Sequence, residues 1–169
     1  REKYRIFNDD MQGTGAIVIA AVVSGMKVTG QSFADQRLLV YGAGTAGTGM
    51  ADQIHAAMVR DGLNEADARA RIWLVDRDGL VTDDMDALPD YQQAYARPAS
   101  EVADWTREHG KVGLLETVRR VHPTILIGTS TDHGAFTRDV VEAMSAGSYI
   151  VASDIPAFRA VLGNGAFGS

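Results

Sequence analysis

Cysteine is absent from the 169 residues, which excludes disulfide bridges and thiolate metal sites. Its absence is typical of a reducing compartment, and we expect a cytoplasmic protein. Long apolar runs are lacking too, because the longest, residues 16–23, is far too short for a helix that crosses a bilayer. Residues 1–4 open no apolar segment of the kind that begins a secretory signal. We therefore expect no membrane partner.

Clustered positive charge is also missing. The formal net charge is −6, and the 16 lysines and arginines are scattered along the chain. Binding to a nucleic-acid backbone needs basic residues gathered on one surface, so we expect no nucleic-acid partner. The length and the 46% of hydrophobic residues predict one ordinary globular domain, residues 1–169. Because a motif begins almost at residue 1 without a preceding Met, we expect this domain to be a fragment of a larger protein.

Short apolar runs alternate with helical patterns along the chain. The predicted strands are residues 37–41, 72–76, 124–128 and 149–153, and the predicted helices are residues 12–26, 45–61, 65–71, 99–109, 113–121 and 138–146. Helix 12–26 is apolar on all faces, so we expect it to be buried. Residues 77–98 are expected to form a polar, turn-rich connection. The alternation predicts a doubly wound parallel sheet, a Rossmann-like three-layer α/β/α fold.

A glycine-rich loop lies between the first predicted strand and the following helix. Its residues are Gly42, Ala43, Gly44, Thr45, Ala46 and Gly47. Gly42 permits a tight turn, Gly44 lets the backbone approach a diphosphate, and Gly47 lets the helix pack close to the strand. The helix N-terminus then offers free N–H groups and partial positive charge to phosphates. A turn without a ligand is the alternative, but the strand–loop–helix context favours a dinucleotide.

A carboxylate, Asp76, ends the second predicted strand, where it can accept hydrogen bonds from an adenosine ribose. It lies further from the glycine loop than the usual interval of roughly 20 residues, and the helix at 65–71 accounts for the excess. The alternative is a turn residue at a strand end. A carboxylate there repels a 2′-phosphate, which favours NAD over NADP, although the neighbouring Arg77 could instead pair with such a phosphate.

Two adjacent carboxylates, Asp9 and Asp10, precede the first predicted helix. One interpretation is that they cap this helix and stabilise its dipole. The other is that they bind a divalent cation, which needs hard oxygen ligands from more than one segment. The chain shows no obvious second acidic pair nearby, so the pattern alone favours capping.

Four blocks of sequence together resemble the malic enzymes. They are FNDDMQGT at residues 7–14, GAGTAG at 42–47, IWLVDRDGL at 72–80, and HPTILIGTS at 122–130 with GAFT at 134–137. Malic enzymes oxidise malate with NAD or NADP and decarboxylate the product to pyruvate, using Mg²⁺ or Mn²⁺. The resemblance implies an NAD-dependent, homo-oligomeric enzyme. It also implies that Asp10 is a metal ligand, that Asp9 supports the catalytic base, and that Thr129 and Ser130 line the cofactor site.

The chain departs from the family in two respects. The family's tyrosine acid, lysine base and second acidic metal pair precede the FNDD block and are not in this chain, so we expect the chain alone to bind cofactor without turning over malate. About the last 25 residues look instead like the nucleotide-sugar half of a retaining glycosyltransferase. A donor-binding domain of a glycosyltransferase and a non-catalytic Rossmann-like module are therefore the alternatives.

Overall fold

The computed structural model describes residues 9–131, 134–144 and 149–152. A π-helical turn at Asp9–Gly13 leads into the first helix. The strands are β1 Leu38–Tyr41, β2 Ile72–Asp76, β3 Gly79–Leu80, β4 Ile125–Gly128 and β5 Tyr149–Ala152. The α-helices are α1 Thr14–Thr29, α2 Thr45–Arg60, α3 Glu65–Ala70, α4 Asp90–Gln93, α5 Leu114–Val121 and α6 Arg138–Met144, and two short 3₁₀ helices lie at Phe33–Asp35 and Ala99–Val102.

The five strands form one sheet in the order β3-β2-β1-β4-β5. Strands β1, β2, β4 and β5 are parallel, and the two-residue β3 is antiparallel to β2. Leu38 at the start of β1 pairs with Ile72 on one side and Ile125 on the other. The chain therefore leaves β1 toward β2 and later returns to the other side of β1, which confirms the doubly wound α/β fold.

The strands bury both of their faces, as their apolar sequences predict. Leu38 and Val40 of β1 belong to the core that α1, α2 and α3 cover. Leu39, between them, belongs to the opposite core with residues of α5 and α6. Successive side chains of a strand point to opposite faces, so the four-residue β1 contributes to both layers of the α/β/α arrangement.

The start and end signals around α3 and α5 act as predicted. Asn64 caps α3, because its side-chain oxygen accepts a hydrogen bond from the Asp67 N–H at 2.8 Å. Helix α5 ends at Val121, and the C-cap residue His122, with a left-handed φ of 47°, is followed by Pro123. Thr137 precedes α6, and its hydroxyl oxygen accepts a hydrogen bond from the Val140 N–H at 3.4 Å.

The structure corrects three of the sequence-based predictions. Helix α1 is buried on one face only, whereas Ile17 and Val28 on its other side are 73% and 86% exposed. The helix expected over residues 99–109 is a short 3₁₀ helix that ends at Val102. The connection at 77–98 contains β3 and α4, which are too short to show a periodic pattern. No helix in the described ranges is long and apolar enough to span a bilayer.

The early end of the 99–109 helix has a local cause. The Thr106 N–H donates a hydrogen bond to the Glu116 carboxylate of α5 at 3.1 Å, so this N–H is engaged by a side chain and not by a helical carbonyl. This bond is the main reason that the pKa of Glu116 lies below its ordinary value, and Arg120 adds to it. Glu108 and Lys111 then pair across a tight turn in which His109 has a positive φ of 52°.

Candidate cofactor site

A cleft of about 830 Å³ opens at the carboxyl ends of β1, β2 and β4. It is lined by residues of the glycine loop, of the turn after β2, of the segment 85–92, and by residues 129–131 after β4. The volume lies within the range of small-molecule and cofactor sites. Its position is the point where the chain winds in opposite directions from β1, which is where open α/β sheets bind their ligands.

Gly42 forms the tight turn that follows β1. Its φ is +100°, a conformation that side-chain-bearing residues rarely adopt. A Cβ added to Gly42 would also overlap the Ser130 nitrogen and lie 2.7 Å from the Thr129 carbonyl carbon. Both the backbone angle and the close approach of the loop after β4 therefore require glycine here.

Gly47 lies where α2 packs closely against the end of β1. A Cβ at Gly47 would overlap the carbonyl oxygen of Gly42 and would lie 3.0 Å from Cγ1 of Val40. It would also lie 2.8 Å from the Thr129 hydroxyl oxygen, which itself donates to the Gly42 carbonyl at 2.6 Å. The contacts within the protein thus require glycine at 47, as close packing of helix and strand predicts.

Gly44 differs from the other two glycines of the loop. Its φ of −70° and ψ of −174° are open to any residue, and no described atom lies within 4 Å of a Cβ added to it. Gly44 is exposed and is the N-cap of α2, so no side chain caps the N–H groups of the first helical turn. No described contact of the protein needs glycine at this position, and the open space beside it lies in the cleft.

The remaining loop residues differ in their relation to the cleft, because Ala46 lines it, whereas Ala43 and Thr45 are not among the residues that line it. Ala43 is fully buried, Ala46 is half-buried and Thr45 is exposed at the start of α2. Thr129 and Ser130 are half-buried and line the cleft. The Thr129 N–H donates to the Tyr41 carbonyl at 2.8 Å, which joins the loop after β4 to the end of β1.

Asp76 ends β2 and lines the same cleft as the glycine loop. Its Oδ1 accepts the Arg77 N–H at 3.0 Å, and its Oδ2 accepts Nε2 of Gln92 at 3.1 Å. The same Nε2 donates to the Ala43 carbonyl at 2.8 Å. Gln92 therefore belongs to the site, although no sequence signal marks a glutamine in a segment predicted to be a turn-rich connection.

The side chain of Arg77 lies at the surface beside Asp78. Its side chain is 90% exposed, and its Nε lies 3.6 Å from Oδ2 of Asp78. Asp78 is held by Lys111, whose Nζ donates to Oδ1 at 2.8 Å, and this hydrogen bond lowers the pKa of the Asp78 carboxyl. The side chain of Arg77 thus lies at the solvent edge of the cleft, where it forms a long, exposed ion pair with Asp78.

Of the two carboxylates at the front of the chain, the structure describes only the side chain of Asp9, and Asp9 does not cap α1 in the way the pattern favoured. The N-cap is Gly13, and no side-chain hydrogen bond from a described residue caps the helix. Asp9 is exposed in the π-helical turn, and its carbonyl accepts the Thr14 hydroxyl at 3.4 Å. The side chain of Asp10 lies outside the described part. Within residues 9–131, 134–144 and 149–152, no group of three or more His, Asp and Glu side chains could hold a metal ion.

A glycine loop at the switch point of a doubly wound sheet, with an acidic residue ending the neighbouring strand, defines a Rossmann-like nucleotide-binding domain. Comparison with known families narrows this class. The family model "Malic enzyme, NAD binding domain" matches residues 11–150, and the chain belongs to this family.

Two curated bacterial proteins illustrate the similarity. The chain is 51% identical over 147 residues to "NAD-dependent malic enzyme 3" of Bacillus subtilis, a match that covers 86% of this chain and 26% of that protein. It is 53% identical over 143 residues to "Putative malate oxidoreductase [NAD]" of Mycobacterium tuberculosis, covering 85% and 26%. The chain thus spans about a quarter of the length of the curated relatives it matches.

Solved structures agree on the fold. The crystal structure of the NAD-dependent malic enzyme from Thermotoga maritima aligns with a TM-score of 0.64 at 22% identity, over 92% of this chain and 38% of that one. The glycosyltransferase-like tail finds no such support, because the family match ends at residue 150 and residues 153–169 lie outside the described part.

Proposed function

We propose that this chain binds NAD in the cleft beside the glycine loop and is the cofactor domain of a malic enzyme. In the complete enzyme, bound NAD would supply the hydride acceptor for the oxidation of malate, and Mg²⁺ or Mn²⁺ would assist the decarboxylation of the oxidised product to pyruvate. The observation that carries the proposal is Gly44. No described contact within the protein requires a glycine at position 44. Gly44 nevertheless lines the cleft at the N-terminus of the 16-residue helix α2.

Different residues of the cleft would bind different parts of the cofactor. The backbone N–H groups at the start of α2 would bind the diphosphate, because Gly44 leaves them uncapped and the helix dipole favours negative charge. The carboxylate of Asp76 would accept hydrogen bonds from the hydroxyls of the adenosine ribose. Thr129 and Ser130, across the loop from Asp76, would line the nicotinamide half. Together these groups bind and orient the cofactor but perform no bond-making step themselves.

The carboxylate of Asp76 favours NAD over NADP in this arrangement. It would lie beside the position of a 2′-phosphate and repel it, since both groups are negatively charged. Arg77 is the residue that could oppose this preference, but its side chain is 90% exposed and turned toward Asp78. We therefore propose NAD as the cofactor and Arg77 as a peripheral residue at the edge of the adenosine site.

The acid–base and metal chemistry depends on the front of the chain and on residues outside it. We propose that Asp10 is one ligand of the divalent metal and that Asp9 supports the catalytic base. Two adjacent carboxylates do not complete the roughly six-oxygen shell that such a cation prefers. The remaining ligands, and the general acid and base, would come from other parts of the complete enzyme. Its cytoplasmic location and homo-oligomeric state stay predictions.

The test compares two glycines with the same local structure. Gly113 is the N-cap of α5 with an extended backbone, and a Cβ on it meets no described atom within 4 Å, but it lies outside the cleft. Gly44→Ala and Gly113→Ala should therefore lose similar small amounts of stability. We expect only Gly44→Ala, and more strongly Gly44→Val, to weaken NADH binding in a fluorescence titration. Equal NADH affinity of the parent and Gly44→Val would refute the proposed site.

A further inference from the structure

Thr129, the first residue after β4, is bonded both to the end of β1 and to the glycine loop. Its N–H donates to the Tyr41 carbonyl at 2.8 Å, which continues the pairing of the two parallel strands. Its hydroxyl donates to the next carbonyl along the chain, that of Gly42, at 2.6 Å. This second bond reaches beyond the sheet, because it attaches a side chain of the loop after β4 to the turn in which the glycine loop begins.

Both backbone groups of Gly42 are thereby held from the two sides of β1. The Gly42 N–H donates to the Val75 carbonyl of β2 at 2.8 Å, while the Gly42 carbonyl accepts the Thr129 hydroxyl. The φ of Gly42 is +100°, and glycine has more conformational freedom than any other residue. A turn built on this residue needs bonds from outside the loop to keep one conformation. Val75 supplies one such bond, and Thr129 supplies the other.

The carbonyl that Thr129 holds lies against the start of α2. A Cβ added to Gly47 would overlap the Gly42 oxygen and lie 2.8 Å from the Thr129 hydroxyl oxygen, so the three groups meet at one point. The direction of the Gly42 carbonyl fixes the plane of the peptide that joins residues 42 and 43, because a peptide group is planar. Gly44, the N-cap of α2, follows directly. Rotation of that plane would therefore move the backbone that leads to the uncapped N–H groups.

We propose that Thr129 is a positioning residue that holds the glycine loop in the conformation that binds the diphosphate of the cofactor. The inference rests on the proposed function and extends it, because it gives the Thr129 hydroxyl a part in diphosphate binding without contact with the diphosphate. The hydroxyl has one hydrogen, which the Gly42 carbonyl accepts, and the β-branched side chain restricts χ1. Without the hydroxyl, the turn adopts further conformations, and the affinity falls with the fraction of chains that are competent to bind.

The experiment measures the affinities of AMP, ADP and NADH for the full chain and its variants by isothermal titration calorimetry. ADP contains a diphosphate and AMP does not, so the ADP-to-AMP affinity ratio reports binding by the glycine loop. Thr129→Val keeps the branched shape of the side chain and removes the hydroxyl. We expect it to lower this ratio about fivefold, the factor that corresponds to one hydrogen bond, and to weaken NADH binding by a similar factor.

Thr117→Val is the matched control. Thr117 is fully buried, and its hydroxyl donates to the carbonyl of another glycine, Gly113, at 2.8 Å, at the start of α5 and outside the cleft. This variant should lose a similar amount of stability in urea unfolding without a change of the ADP-to-AMP ratio. Thr129→Ser keeps the hydroxyl and should retain most of the parent ratio. If Thr129→Val does not fold, Thr129→Ala replaces it, because alanine and serine differ by the hydroxyl oxygen alone.

Three outcomes would overturn the inference while the NAD site stands. The ADP-to-AMP ratio could be unchanged in the variant without a hydroxyl, it could fall equally in Thr117→Val, or Thr129→Ser could lose as much of it as that variant does. The first outcome would show that the hydroxyl does not act on diphosphate binding, and the other two would show that the loss is a general effect on the fold. A parent chain that binds neither ADP nor NADH would overturn the proposed function itself.

Discussion

Adding one methyl group at Gly47 tests how closely α2 packs against the end of β1. The Cβ of a Gly47→Ala variant would overlap the Gly42 carbonyl oxygen and lie 3.0 Å from Cγ1 of Val40. The Gly42 backbone has little freedom to shift, because the backbone of Thr129 and Ser130 lies close to its Cα. Overpacking of this kind typically costs about 1–3 kcal/mol, and the better helix propensity of alanine returns up to about 1 kcal/mol. We expect a net loss of about 1–2 kcal/mol.

Urea unfolding followed by far-UV circular dichroism measures this loss. With a denaturant slope of about 2 kcal/mol per molar, the midpoint should fall by roughly 0.5–1 M. Gly113→Ala is the control, because its Cβ meets no described atom within 4 Å. A Gly47→Ala variant as stable as the Gly113→Ala control would show that α2 does not approach the glycine loop as closely as the structure has it. The reasoning about the roles of the three glycines would then fail with it.

Two further predictions concern cofactor choice and turnover. Asp76→Ser should lower the NADH-to-NADPH affinity ratio by roughly tenfold or more, because a hydrogen bond to a charged group is worth about 1.5–3 kcal/mol. An unchanged ratio would mean that Asp76 is a turn residue and that Arg77 is the next residue to test. The chain alone, assayed with malate, Mn²⁺ and NAD, should produce NADH far more slowly than about 1 s⁻¹, since it offers Asp9 and Asp10 without the family's acid and base. Turnover at that rate would show that the catalytic residues are misplaced.

The sheet could be predicted from the sequence because each strand is a short apolar run that a polar or glycine residue ends. Strand β2 has the predicted bounds, Ile72–Asp76, and β1 and β4 differ by one residue at the start. Elements held by distant partners could not be predicted in this way. The two-residue β3 exists because it pairs with Val75 and Asp76 and because the Leu80 N–H donates to the carbonyl of Val112. No local pattern records such partners.

For α1, the sequence predicted more burial than the structure shows. Its apolar residues occur on all faces, which predicts burial, but the sheet and α2 cover only the face of Gly15, Val18, Val22 and Met26. Gly15 allows α1 to pack closely against α2, because a Cβ there would overlap the side chain of Gln53 on α2. The apolar composition of a helix therefore indicates how much of its surface could be buried. The neighbouring helices and strands determine how much of that surface is buried in the fold.

The same distinction applies within the site. The glycine loop is local, so its residue types and order contain most of the information about its turn, its helix packing and the open space beside Gly44. Asp76 is recognisable because a strand end is a local feature as well. Gln92 is not, since its importance comes only from the two acceptors, Ala43 and Asp76, that the fold brings to it. Residues that act by holding other residues must therefore be found from the contacts in the folded structure.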